Sequence, residues 1–165
     1  MQQLGEELAT PNENHQFLSS LAGVWNTTTT IIGMQPEKGD AQYAMIFDNR
    51  FLEGTHSGTV ANIPYKGKLT IGFDNCKQKF VSTFIDNLST TIHVAEGVLD
   101  KKSSTLSLWG TMDEWMTGEH DKLVLYRFIV HNEDSYTFEM HDLSLLSNPI
   151  VITTIYTKAK TIDKE

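Results

Sequence analysis

Three polar side chains stand where this chain could do chemistry: Asp86, His93 and Arg127. Asp86 closes the run from Phe80, whose alternation puts Phe80, Ser82, Phe84 and Asp86 on one strand face and Val81, Thr83 and Ile85 on the other. A carboxylate there serves either as a pocket acid or, at a strand end before Asn87, as the acceptor of an Asx turn. His93 shares a face with Thr91 and Ala95, so an inward imidazole could act as an acid, a base or a haem ligand. Arg127 shares a face with Leu123, Leu125 and Ile129, where a charge must be paired or reach water. Turned inward, its guanidinium would clamp a ligand carboxylate or phosphate with two parallel hydrogen bonds. Turned outward, it pairs with a strand acid such as Glu53, Glu96 or Glu139. The opposite face of its strand (Tyr126, Phe128, Val130) is equally apolar, which favours the outward reading.

Other chemistries lack their residues. The six histidines include no His-x-His or His-x-x-x-His spacing, so the motif that builds a metal site on a cupin barrel is missing. Glu139 and His141 place two possible ligands on one strand face, a two-residue match that is common by chance. Covalent haem needs Cys-x-x-Cys-His, which does not occur. Neither does a Gly-x-Ser-x-Gly elbow, a phosphate loop or a dinucleotide fingerprint. Cys76 is the one cysteine and lies in a polar turn far in sequence from any histidine, which makes it an incidental thiol. The expectation is a protein with no metal and no cofactor. Bulky side chains are more suggestive. Trp109, Met112, Trp115 and Met116 crowd one segment, as the mouth or lid of a cavity, a hydrophobic plug or a homodimer contact. Trp25, early in a strand, reads as a structural anchor more than as a pocket wall.

The elements that must position these residues are strands. From Trp25 onward the pattern has period two, beginning with Trp25, Thr27, Thr29 and Ile31 alternating with Asn26, Thr28 and Thr30. Similar runs recur at 24–33, 40–48, 51–60, 67–74, 79–86, 91–99, 105–112, 121–131, 135–143 and 149–158. Asp48-Asn49, Asp74-Asn75, Asp100-Lys101 and Asn132-Glu133 supply turn chemistry between them. Connections this short force antiparallel pairing. So many strands would leave two long edges in an open sheet, and closure removes them. The expected fold is all-β and mainly antiparallel, a closed up-and-down barrel of 8–10 strands. Gly54 and Gly58, which flank His56, read as bends for barrel curvature. Residues 14–22 form a short helix capped by Asn12 or Asn14, with Phe17, Leu18 and Leu21 on one face, plugging one end. Residues 1–13 read as a flexible tail, 14–160 as one domain and 161–165 as a second tail.

A chain of 165 residues with 39% hydrophobic content suits one packed domain and holds no run of the roughly 18 apolar residues a spanning helix needs. The segment Met1–Leu8 has no basic stretch followed by an apolar one, which argues against a secretory signal and for a cytoplasmic protein. On that footing the sequons at Asn26 and Asn87 are chance matches. With 21 acids against 13 bases the net charge is −8, so nucleic acid and anionic membranes make poor partners.

Gly23-Val24-Trp25 after a short helix resembles the opening of lipocalins and their calycin relatives. Gly72-Phe73-Asp74-Asn75, the block from Phe80 to Thr90, Gly97, His15 and the closing strand Ile152–Lys158 together resemble the bacterial domain-of-unknown-function family 1579, whose members are lipocalin-like. The likeness covers roughly residues 14–158. Phe73 stands where that family has Tyr, Phe84 where it has Trp, and Lys158 where lipocalins lay an Arg over the Gly-x-Trp ring. The resemblance implies a bacterial calycin-type barrel and suggests binding without naming an activity. Taken together, the readings rank a binder of a small hydrophobic or amphipathic molecule first, a homo-oligomeric interaction or structural protein second and an enzyme third. The candidate ligand-binding residues are Trp25, Phe84, Asp86, His93, Trp109, Trp115, Arg127 and Tyr156.

Overall fold

The period-two stretches become ten antiparallel strands. The computed structural model describes residues 2–114 and 117–160. The strands are β1 (Gly23–Ile31), β2 (Glu37–Ile46), β3 (Phe51–Val60), β4 (Ile63–Asp74), β5 (Lys79–Asp86), β6 (His93–Asp100), β7 (Thr105–Glu114), β8 (Glu119–Asn132), β9 (Ser135–Asp142) and β10 (Ile150–Lys158). Each pairs with its neighbours in sequence, and β1 pairs with β10 to close the barrel. The closing register sets Trp25 opposite Lys158 and Ile31 opposite Ile152. The expected architecture is therefore the observed one.

The turn residues work as their chemistry requires. Oδ1 of Asp74 accepts from the backbone N–H groups of Cys76 and Lys77, at 2.8 and 3.0 Å. Oδ1 of Asp100 accepts from Lys102 N–H at 2.9 Å, and Oδ1 of Asn132 from Asp134 N–H at 2.9 Å. Asp48 and Asn49 take the left-handed backbone that Asp and Asn tolerate better than most residues.

Two helices precede the barrel, α1 (Gln2–Ala9) and α2 (Glu13–Ser20). Helix α2 is the expected plug. Asn12 caps it by accepting from Asn14 N–H at 2.9 Å, and Nδ1 of His15 accepts from Asn12 N–H at 3.0 Å, completing a reciprocal capping box. Leu18 and Leu21 are buried against the barrel, and Phe17 meets Phe80 edge-on. Helix α1 lies in the stretch that reads as a tail. Eight residues make a marginal helix alone, and what ties this one down is remote in sequence. Nε of Arg50 donates to the Ala9 carbonyl at 2.8 Å, and Nδ2 of Asn75 donates to the carbonyls of Leu8 and Thr10, both at 2.9 Å.

At the end that α2 covers, the interior is filled by large side chains: Trp25, Leu52, Ile71, Phe80, Leu106 and Tyr136 are all essentially buried. Nε1 of Trp25 donates to the Leu21 carbonyl at 3.0 Å, Tyr136 meets the indole edge-on at 4.9 Å between centroids, and Nζ of Lys158 lies 5.8 Å from the ring centre. Lys158 thus takes the place expected of the Arg, over the ring of Gly-x-Trp.

Candidate ligand-binding cavity

Beyond this packed base the inward positions shrink. Thr27, Thr29, Gly39, Gly58, Ser82, Ala95 and Thr154 line the other half of the barrel and leave a cavity of about 330 Å³. Its walls are largely apolar, with Leu69, Phe84, Leu108, Phe128, Phe138 and Met140 among them. Ten strands enclose more space than the eight that side chains just fill, so small residues on six of the strands are enough to open a void. Val60, Leu88, His93 and Met112 mark its far end, away from α2.

The structure divides the eight candidate residues. Phe84, Asp86, His93 and Tyr156 line the cavity, and so does Met112. Asp86 combines both of its readings. Its Oδ1 accepts from Leu88 and Ser89 N–H at 2.9 and 3.1 Å, an Asx turn, while the residue also borders the cavity. His93 packs against Phe84 at 6.2 Å between centroids, and its Nδ1 is buried without a hydrogen-bond partner among the described residues. Three candidates lie elsewhere. Trp25 is the anchor at the base. Trp109 faces outward opposite Leu125 and is 48% exposed, because the inward positions of β7 are Leu106, Leu108 and Met112. Arg127 also faces outward, where Nη1 meets Oε2 of its cross-strand partner Glu139 at 3.2 Å. The same carboxylate lies 3.0 Å from Nε2 of His141. No ligand clamp is therefore formed by Arg127. Glu139 and His141 touch each other, and among the described residues no group of three such side chains could hold a metal. Trp115 and Met116 lie outside the described residues.

Sequence reasoning missed three further polar side chains of the cavity wall. Tyr43, His56 and Tyr65 all line it. The Tyr43 hydroxyl and His56 Nε2 form a 3.0 Å hydrogen bond. Burial lowers the His56 pKa to about 4, so the imidazole is neutral at pH 7. Burial first, and then the charge of Asp86, hold the Tyr65 phenol above its ordinary range. Tyr156 stacks on Tyr136 at 4.1 Å, and burial raises both phenols well above their usual value. The flanking glycines of His56 read in the sequence as bends for barrel curvature, and their bearing on the imidazole emerges only from the strand pairing. The four-residue connection between β2 and β3 sets Tyr43 opposite Gly54, two positions from His56.

Lys122 was also missed. It is an inward residue of β8 whose Nζ lies 2.8 Å from Asp142 Oδ2, 3.3 Å from Glu114 Oε2 and 3.4 Å from Glu119 Oε2. These contacts, the hydrogen bond to Asp142 foremost, hold its pKa above the ordinary lysine value. The cluster ties β7, β8 and β9 together beside the cavity.

Fold and site together define a closed ten-stranded β-barrel with a largely apolar internal cavity. The chain belongs to the family described as "Protein of unknown function (DUF1579)", whose profile matches residues 10–148, the family its sequence resembles. No curated protein matches it. Among solved structures it is similar to a redesigned β-barrel (14% identity, TM-score 0.47, covering 87% of this chain and 95% of the other). It is also similar to a de novo designed fluorescence-activating β-barrel (9%, 0.49, 86% and 96%). A third is a redesigned barrel bound to the compound DFHBI (14%, 0.45, 84% and 99%).

Proposed function

We propose that the barrel binds a small hydrophobic or amphipathic molecule in its cavity. The observation that carries this reading is the cavity itself. About 330 Å³ of largely apolar space falls within the ~300–1,000 Å³ that ligand pockets occupy. The orphaned Nδ1 of His93 on its wall supports a ligand with a polar group. The exposed, unpaired thiol of Cys76 suits a reducing compartment, which supports a cytoplasmic setting. The net charge of −8 supports partners other than nucleic acid or anionic lipid. No described helix is long and apolar enough to cross a membrane.

Native mass spectrometry of freshly purified protein is expected to show a co-purified small molecule or a 1:1 adduct with the two-ring naphthalene dye Prodan, whose fluorescence rises in an apolar site. Met112→Trp places bulk at the far end of the cavity and is expected to abolish the rise. Thr111→Trp, one residue away on the outer face, leaves it intact. Absence of both bound ligand and dye response, or equal loss in the two variants, would remove the reading.

A second reading, a contact with another copy of the chain, rests on the outward Trp109 and its exposed neighbours Val94 and Leu123. Sedimentation of a monomer at high concentration would dismiss it.

A further inference from the structure

One wall of the cavity owes its polarity to two glycines. Tyr43 lies across Gly54, where a Cβ would come within 2.0 Å of the ring. Phe84 lies across Gly67, where a Cβ would sit 2.8 Å from Cζ of the ring. Freed to lie over neighbouring strands, both rings reach His56. Tyr43 meets the imidazole edge-on at 5.4 Å and Phe84 at 5.9 Å, and Tyr156 closes a third side at 6.3 Å. With Nε2 engaged by the Tyr43 hydroxyl, Nδ1 is the ring atom left for an occupant.

A neutral imidazole carries one N–H. If the Tyr43 hydroxyl donates to Nε2, Nδ1–H donates to an occupant. If Nε2–H donates to the hydroxyl, Nδ1 accepts instead. The pair therefore matches a carbonyl or a hydroxyl equally well. It does not match a carboxylate. The rings around His56 supply no counter-charge, and the residues of the same lining include three acids, Glu37, Asp40 and Asp86, against one base, Lys38. Size narrows the occupant further. An apolar cavity of about 150 Å³ holds one benzene ring, and this one is about 330 Å³, room for two fused rings.

Resting on the reading of the cavity as a ligand site, we propose that it selects an uncharged two-ring aromatic molecule whose single hydroxyl or carbonyl group hydrogen-bonds Nδ1 of His56.

Titration calorimetry at pH 7 with naphthalene, 2-naphthol and 2-naphthoate tests this on the intact protein and on His56→Leu. The wild type is expected to bind 2-naphthol about tenfold more tightly than naphthalene, the worth of one well-made hydrogen bond. It is expected to bind 2-naphthoate at least tenfold more weakly than 2-naphthol. In His56→Leu the advantage of 2-naphthol over naphthalene disappears while naphthalene itself still binds. If that variant does not fold, the imidazole ¹⁵N spectrum of the wild type decides. Nδ1 of His56 shifts with 2-naphthol and not with naphthalene. The proposal is overturned if 2-naphthol and naphthalene bind alike, if 2-naphthoate matches 2-naphthol, or if the preference survives without His56, even though the cavity would remain a ligand site. Failure of naphthalene itself to bind overturns the ligand site as well.

Discussion

Acidification should weaken this barrel through His56. An ordinary histidine titrates near 6.5, and burial among Tyr43, Phe84 and Tyr156 lowers this one to about 4. Above pH 6.5 the imidazole is neutral in both the folded and the unfolded chain and contributes no pH dependence. Between 6.5 and about 4 the unfolded chain takes up a proton that the folded one refuses, so stability falls as pH falls. Below about 4 both states are protonated and the loss levels off. At about 1.4 kcal/mol for each pKa unit, a lowering from 6.5 to about 4 corresponds to a loss of roughly 3 kcal/mol. That is a large part of the 5–15 kcal/mol that holds a typical domain together. His15 is also lowered by burial and adds in the same direction, so the measurement must be a difference. Urea unfolding followed by far-ultraviolet circular dichroism, from pH 7.5 to 4, is compared between wild type and His56→Leu. The wild type is expected to lose roughly 3 kcal/mol more than the variant, whose His15 contribution is shared and cancels. Parallel curves, or a His56 imidazole resonance titrating near 6.5, would refute the burial argument.

Other substitutions test other parts of the molecule. Gly54→Ala puts a methyl group where the Tyr43 ring lies and should cost about 1–3 kcal/mol of overpacking, read as a lower urea midpoint. Trp25→Ala empties the base of the barrel beneath α2 and should cost about 3–5 kcal/mol in thermal or urea unfolding. Arg127→Ala removes a partly exposed ion pair on the outer surface, so stability should change by about 0–1 kcal/mol and dye binding not at all; a loss of dye binding would place the guanidinium at the cavity after all.

The strands were legible because turns and alternation spoke together. The Asx residues that close one run, Asp74 and Asp100 among them, start the reversal into the next. Which face turns inward was harder to read, and β8 shows why. Tyr126 and Phe128 point in, but Leu125 and Ile129 point out beside Arg127, so apolar character is no guide to direction on that strand. Trp109 was drawn into the candidate site by the bulky segment it opens, and its outward direction did not show because outside residues of the neighbouring strands (Val94, Val98, Leu123) are as apolar as inside ones. His56 stayed hidden because its importance depends on Gly54 and Gly67, which matter only once Tyr43 and Phe84 are known to lie across them. Helix α1 stayed hidden because its anchors, Arg50 and Asn75, lie roughly 40 and 65 residues away, and no local pattern carries such contacts.

Side-chain volume, not polarity, locates the cavity within the barrel. Every strand alternates, yet inward residues at the α2 end are Trp, Leu, Ile, Phe and Tyr, and those in the other half include Gly, Ala, Ser and Thr. A closed sheet fixes the wall, so a smaller inward residue cannot be offset by strands moving together as two helices can. Missing volume becomes enclosed space. It follows that truncation at the two ends should have separate consequences. Below, at Trp25 or Phe80, a lost side chain leaves a void in a packed base and lowers stability. Above, at Met112 or Thr154, it enlarges a void already present, changing what the barrel can hold more than how firmly it folds.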